Sequence, residues 1–250
     1  MNKRPLKKIL KAFFNKPFYI ALINIFKYFY HPSDVLRRYV FGQGDYPKKL
    51  TVKTPLGKQE VWLYSFHDMI TMVECYGKLD YPAEKEISCV VDFGSNIGIS
   101  AGYFLTRNKN IKIYLFEPLP ENINRLKTNL QGFENRYELH EVAVGLENGH
   151  ADFGFEATGR YGGLESDLPK TIQVQVRKVE EIISSILGKV GHIDILKIDV
   201  EGLETDIIKS MSHKNLKNIN NIYAETIYSE CLPGFDKEQY GEVVRFRKIR

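Results

Sequence analysis

The chain has 250 residues, 43% of them hydrophobic and 26% charged, with a formal net charge of +4. That composition excludes a disordered, collagen-like or disulfide-scaffold protein, and the length suffices for one large domain with a buried core. The small net charge conceals an asymmetry: residues 1–50 carry 11 Lys or Arg against 2 Asp or Glu, a net of +9, and the remaining 200 residues carry −5.

The basic head is also aromatic, with Phe13, Phe14, Phe18, Tyr19, Phe26, Tyr28, Phe29 and Tyr30 close together. Leu6, Ile9, Leu10, Phe13 and Phe14 recur at helical spacing, and Pro17 divides the stretch into two expected helices. The apolar run 18–26 is interrupted by Asn24, stopped by Lys27, and lacks a small-residue cleavage site, so it does not read as a secretory signal. It is also shorter than the ~20 apolar residues needed to span a bilayer. The turn at His31–Asp34 caps a short helix through Val40, and 50–64 reads as a β-hairpin around Pro55 and Gly57. A helix over 67–76 follows.

Beyond Pro82 strands alternate with helices: strand 87–91, helix 97–106, strand 111–116, helix 119–130, strand 137–144, strand 192–200, helix 203–211 and strand 221–225. This order predicts an α/β parallel sheet covered on both faces. Residues 149–176, broken by several glycines, read as a hairpin-and-loop insertion near the active face, with Arg160 and Tyr161 candidates for an acceptor pocket. Three domains or segments result: 1–49, 50–82 and 83–250. Cys75, Cys89 and Cys231 are odd in number and scattered without a CxxC or Cys/His spacing, so no metal site and a reduced, cytoplasmic setting are expected.

Three motifs carry chemistry. Val90-Val91-Asp92-Phe93-Gly94-Ser95-Asn96-Ile97-Gly98 runs from a buried strand through a glycine turn into a helix, a place where backbone can approach a ligand. The dinucleotide pattern fails, because Asn96 and Ile99 stand where its second and third glycines belong. The second strand ends at Phe116-Glu117-Pro118, placing an acid where a ribose diol is gripped in open α/β sheets. Lys197-Ile-Asp199-Val-Glu201-Gly202-Leu-Glu204 puts Lys197 and Asp199 on one face of a strand and gathers Asp199, Glu201 and Glu204 at its C-terminal end and the following helix start. Glu225 follows the apolar Ile222-Tyr-Ala at the equivalent end of its own strand. Together these features point to a nucleoside-containing ligand.

The combination DFGSNIG (92–98), FEP (116–118), EVAVG (141–145) and KIDVEGLE (197–204) resembles the FkbM-type S-adenosylmethionine-dependent methyltransferases, over about Val90 to Glu225. The resemblance implies a class I methyltransferase (Rossmann-like) sheet, S-adenosylmethionine as cofactor, and O-methylation of a sugar, glycan or small-molecule hydroxyl. On its motifs Asp92, Gly94, Ser95, Asn96 and Gly98 match the methionine-side segment, Glu117 the ribose acid, and Val142 and Ala143 the adenine wall. Asp199, Glu201 and Glu225 match the acids bordering the methyl-transfer centre, with Asp199 or Glu201 expected as the base and Glu225 as the group orienting the acceptor. His67, His140 and His150 rank below them as bases. Only 243–249 remains for a terminal strand, so the last antiparallel hairpin of that fold is expected to be abbreviated or missing.

Alternative functions are weaker. An NAD-dependent oxidoreductase lacks its third glycine and a Tyr-x-x-x-Lys arrangement, and nucleic-acid methylation lacks an Asn/Asp-Pro-Pro-aromatic motif. A non-catalytic interaction protein is disfavoured by retention of all four acids. The head has three readings: packing on the catalytic domain, peripheral contact with an anionic inner-membrane surface through 1–49, or nucleic-acid binding, in that order.

Overall fold

A computed structural model describes residues 16–156, 162–164 and 168–249. In chain order the elements are helices α1 (Lys16–Tyr28) and α2 (Pro32–Phe41), strands β1 (Lys48–Thr54) and β2 (Gly57–Leu63), and helix α3 (Phe66–Val73), which runs on into a π-helical turn, Glu74–Lys78. Then come β3 (Cys89–Phe93), α4 (Ile99–Leu105), β4 (Lys112–Phe116), α5 (Pro120–Asn129), β5 (Tyr137–His140), β6 (Ala143–Gly145), β7 (Gly149–Phe155), β8 (Gly162–Leu164) and β9 (Lys170–Lys178). The chain closes with α6 (Val179–Val190), β10 (Ile193–Ile198), α7 (Glu204–Ser210), α8 (His213–Leu216), β11 (Ile219–Ala224), β12 (Phe235–Tyr240) and β13 (Val243–Lys248).

The main sheet has seven strands in the order β12-β13-β11-β10-β3-β4-β5. β11, β10, β3, β4 and β5 are parallel, as the strand–helix alternation requires, and β13 and β12 add an antiparallel edge. Successive residues of each strand feed opposite cores. Val90, Ile113, Leu115 and Ile195 join a cluster with α1, α3 and α4, whereas Val91, Tyr114, Leu196 and Ile198 join one with α6 and α7. The helices therefore cover both faces, and the fold class is the one the motifs implied.

Three expectations change. The C-terminal hairpin is complete: β12 pairs with β13 from Phe235↔Lys248 to Tyr240↔Val243. Its first strand, Phe-Asp-Lys-Glu-Gln-Tyr, has few apolar residues, because an edge strand with an exposed flank is carried by backbone pairing rather than by burial. The expected strand 137–144 is two strands in different sheets. β5 ends the main sheet at His140, and β6 crosses to pair with β9 in a four-stranded sheet ordered β6-β9-β7-β8. Helix α6 was absent from the sequence reading, although Val179, Ile182, Ile183 and Ile186 form one buried stripe.

The N-terminal elements pack on the face of the sheet that carries α4. Ala21, Ile25 and Phe29 share a core with Leu50, Val61, Met72, Tyr76 and Tyr103, and Phe29 bridges to Val52 of the hairpin. Pro17 lies in the first turn of α1, where its missing N–H costs nothing. Residues 1–15 and the candidates Arg160 and Tyr161 lie outside the described residues.

Candidate active site

The C-terminal ends of β3, β4, β10 and β11 open into a cleft of about 920 Å³. It is lined by the Gly94–Ile97 loop, by Phe116 to Leu119, by Val142 to Val144, and by Asp199, Val200, Glu201 and Glu225. Ligands of open α/β sheets occupy this position because strand ends and helix N-termini leave backbone polar groups there.

The loop after β3 is shaped by a close approach. Gly94 has φ +74°, and a Cβ there would lie 1.7 Å from the carbonyl oxygen of Asp199, so only glycine admits the end of β10. Ser95 staples the loop to both neighbours: its Oγ donates to the Asp92 carbonyl (2.8 Å) and accepts from the Phe116 N–H (3.0 Å). Asn96 sits in the left-handed region at φ +46° and its side-chain oxygen accepts the Ile97 N–H at 2.7 Å. The other loop of this kind is at Glu201, φ +57°. Of the three non-glycine residues with positive φ among those described, two thus line the cleft, the pattern expected where strain is held by surrounding structure.

Glu117 is buried at the tip of β4. Its carboxylate accepts the N–H of Asn96 (2.9 Å) and Leu119 (3.0 Å) and the side-chain amide of Asn122 (3.2 Å). Burial nonetheless pushes it up to about 7, these bonds opposing the shift. Phe116, stacked on His140 at 4.6 Å, continues into an apolar wall of Leu119, Val142, Ala143, Val144 and Phe153.

Lys197 organises the opposite side. It is the register partner of Asp92 across β10 and β3, and Asp199 lies two residues further along the same face. Its ammonium has three hydrogens and meets three acceptors: Asp92 Oδ1 at 3.0 Å, Asp199 Oδ2 at 3.1 Å and the Gly94 carbonyl at 3.1 Å. Asp92 also accepts from Ser100 Oγ at 2.6 Å. Although burial favours the neutral amine, the two carboxylates hold Lys197 protonated, raising it above the ordinary lysine range.

Of the residues singled out from the sequence, Gly94, Ser95, Asn96, Glu117, Val142, Ala143, Asp199, Glu201 and Glu225 share this cleft. Asp92 and Gly98 do not line it. Asp92 supports the loop from behind through Lys197, and Gly98, φ +82°, packs against Leu126. His67, His140 and His150 are not in the lining. Sequence reasoning missed the contribution of the 50–82 segment: Asp68 and Thr71 of α3, Glu74 of the π-helical turn, and Tyr81. Tyr81 is buried beneath Lys197, 5.6 Å from its ring centre, and burial with the nearby charges of Glu225 and Asp199 keeps its phenol protonated. Ser65 and Asp68 form a capping box, a helix-start pattern that was readable, but nothing in the sequence says that this helix faces the cleft.

The donor set fits an adenosine with a cationic centre. An apolar wall suits the base, the Glu117 carboxylate suits a vicinal diol, and Asp199, Glu201 and Glu225 suit a positive charge at the far end. A "Methyltransferase 1" of Beauveria bassiana is 22% identical over 193 residues, covering 68% of this chain and 75% of that protein. The 2-O-methyltransferase NoeI of Sinorhizobium fredii is 29% identical over 170 residues, covering 60% and 68%. The hexuronic acid methyltransferase AglP of Haloferax volcanii is 26% identical over 143 residues, 56% of each. The methyltransferase FkbM domain matches residues 92–247, from the Asp92 that braces the glycine loop to the last strand of the sheet, and the chain belongs to the FkbM methyltransferase family.

Proposed function

We propose that this protein transfers a methyl group from S-adenosylmethionine to a hydroxyl of a sugar, glycan or small molecule. The observation that carries the reading is the single cleft that joins the buried Glu117, an apolar wall and the acidic cluster Asp199, Glu201 and Glu225. When bound, S-adenosylmethionine supplies an electrophilic methyl on a positively charged sulfur. Glu117 accepts the ribose hydroxyls, Phe116, Leu119, Val142 and Ala143 enclose the adenine, and the acids offer negative charge to the cation.

Displacement at carbon requires an in-line acceptor, so alignment supplies much of the rate. The acceptor hydroxyl must also lose its proton as the new bond forms. Asp199, held by Lys197, and Glu201, on its strained backbone, are the two candidates for that base, with Glu225 orienting the acceptor. Asp68, Glu74, Glu117, Asp199, Glu201 and Glu225 all line the cleft, and Lys197 is already engaged by two carboxylates. Among the described residues this lining favours a neutral polyhydroxyl acceptor over a carboxylate-bearing one, and it opposes the phosphates of a nucleic acid. The printed name of NoeI supports an oxygen acceptor; that of AglP names a sugar bearing a carboxylate, the acceptor class that this acidic lining disfavours.

Calorimetry with S-adenosylmethionine tests the cofactor, and mass spectrometry for added CH₂ on neutral glycans tests the acceptor. With cofactor saturating, Asp199→Asn or Glu201→Gln is expected to lower turnover about 10²-fold or more. Near-normal turnover in both variants overturns the base assignment, and no cofactor binding by the wild type overturns the whole reading.

A further inference from the structure

α1 has two apolar faces. One is buried: Ala21 and Ile25 enter the core, and Asn24 donates from its side-chain amide to the Gly77 carbonyl at 2.7 Å. The other is open. Tyr19, Ile23 and Phe26 are 48%, 66% and 61% exposed, and Tyr30 continues the line beyond the helix end. Their spacing of four, three and four residues makes one stripe along the helix.

The stripe is bordered by positive charge held against itself. Lys53 and Lys58 are directly opposed across the β1–β2 hairpin, an unfavourable like-charge pair, and their ammonium groups stand 5.4 and 4.9 Å from the centre of the Tyr30 ring. Lys27 follows Phe26 on the exposed side of α1. Residues 16–62 carry eight Lys or Arg against three Asp or Glu, and residues 1–15 add five more with no acid. An apolar stripe with cations gathered at its Tyr30 end is complementary to an anionic, apolar-backed surface.

We infer that the α1 stripe with Lys27, Lys53 and Lys58 is a docking face for an anionic lipid bilayer. Ile23 and Phe26 insert below the headgroups, Tyr19 and Tyr30 sit at headgroup level, and the lysines meet the lipid charge. Charge decides against the competing occupants. A second copy on a two-fold axis brings the Lys53–Lys58 pair towards its own image. A nucleic acid leaves Ile23, the most exposed residue of the stripe and an aliphatic one, without an apolar environment, since bases stack on aromatic faces. The face and the cleft share one element: the turn Glu74–Lys78 contacts the buried side of α1 at Gly77 and lines the cleft at Glu74.

The test uses the full chain without cofactor, which separates it from the methyltransferase reading. Co-sedimentation with phosphatidylcholine vesicles containing phosphatidylglycerol is compared with phosphatidylcholine alone. Binding is expected only to the anionic vesicles and to fall steeply with salt. Ile23→Asn/Phe26→Ser, on exposed side chains, is expected to weaken it about tenfold or more with an unchanged thermal melt. Lys53→Gln/Lys58→Gln is expected to do the same, since each lysine near such a surface is worth about fivefold. The inference is overturned by absent binding to anionic vesicles, or by either double variant binding like wild type. It is also overturned if the first variant instead abolishes self-association or retention of a duplex oligonucleotide in a chain that ignores vesicles.

Discussion

At the residue scale, the cleft depends on side chains whose charge state is set by burial. Glu117 is the clearest, raised from an ordinary 4.5 to about 7 because its carboxylate is withdrawn from water. Between those values the folded protein keeps a proton that the unfolded chain has lost, so this group's contribution to stability falls as pH rises through that window. A diol that donates to Glu117 favours the ionised form, and cofactor affinity should therefore rise with pH. Calorimetry at pH 6 and pH 8 is expected to differ by about tenfold, and Glu117→Gln is expected to flatten that dependence. A pH-independent wild-type affinity removes Glu117 from the diol site. The acid at the tip of β4 was legible in the sequence because a strand's last residue needs only a strand prediction. The Lys197 junction was half legible: the i, i+2 spacing placed Lys197 beside Asp199, but only the β10–β3 register brings Asp92 opposite.

At the scale of elements, the edge hairpin β12–β13 braces the wall of the cleft. Arg245 on β13 is buried, donating from Nε to the Asp80 carbonyl at 3.1 Å and from Nη2 to the Leu79 carbonyl at 2.6 Å. Its guanidinium stacks 3.7 Å from the centre of Tyr240 of β12, whose hydroxyl donates to the Lys78 carbonyl at 3.1 Å. Both strands thus hold the segment that begins with Glu74, and Leu79 keeps a left-handed backbone there at φ +58°. Arg245→Met leaves two buried carbonyls without their donor and is expected to cost about 2–4 kcal/mol. A thermal melt should move down by about 5–10 °C; a change within 1 °C removes this clamp from the account. The split of 137–144 between two sheets follows the same logic. Its apolar run continues without a break, and the turn at Glu141 and Val142 is imposed by β9, which claims Ala143 to Gly145 as its partner. β8 of that sheet then crosses the end of β10, where a Cβ on Gly163 would come 2.7 Å from the Glu201 carbonyl.

At the scale of the whole molecule, the cleft and the proposed docking stripe differ in charge. The cleft is acidic and the α1 face is basic, which is the charge asymmetry of the sequence carried into three dimensions. A ligand that binds only the folded protein stabilises it in proportion to the logarithm of its concentration over its dissociation constant. S-adenosylmethionine at 100-fold over that constant should add about 2.7 kcal/mol and raise the melting temperature by about 5–10 °C. Absence of any shift at saturating cofactor contradicts the proposed ligand. No helix among the described residues is long and apolar enough to cross a membrane.

Local sequence pattern suffices for the parallel α/β core, the glycine loop, the acids at the tips of β4, β10 and β11, and the family. Each of these rests on local spacing: strand period, glycine tolerance, and the residue that ends a strand. Tertiary structure alone decided which acids share a cleft, that Asp92 stands behind its loop, that α3 and Tyr81 form a wall, and that the basic head shows one apolar face to solvent. Those facts depend on register and on contacts between residues far apart in the chain, such as Lys197 with Asp92 and Arg245 with Asp80, which no local pattern encodes.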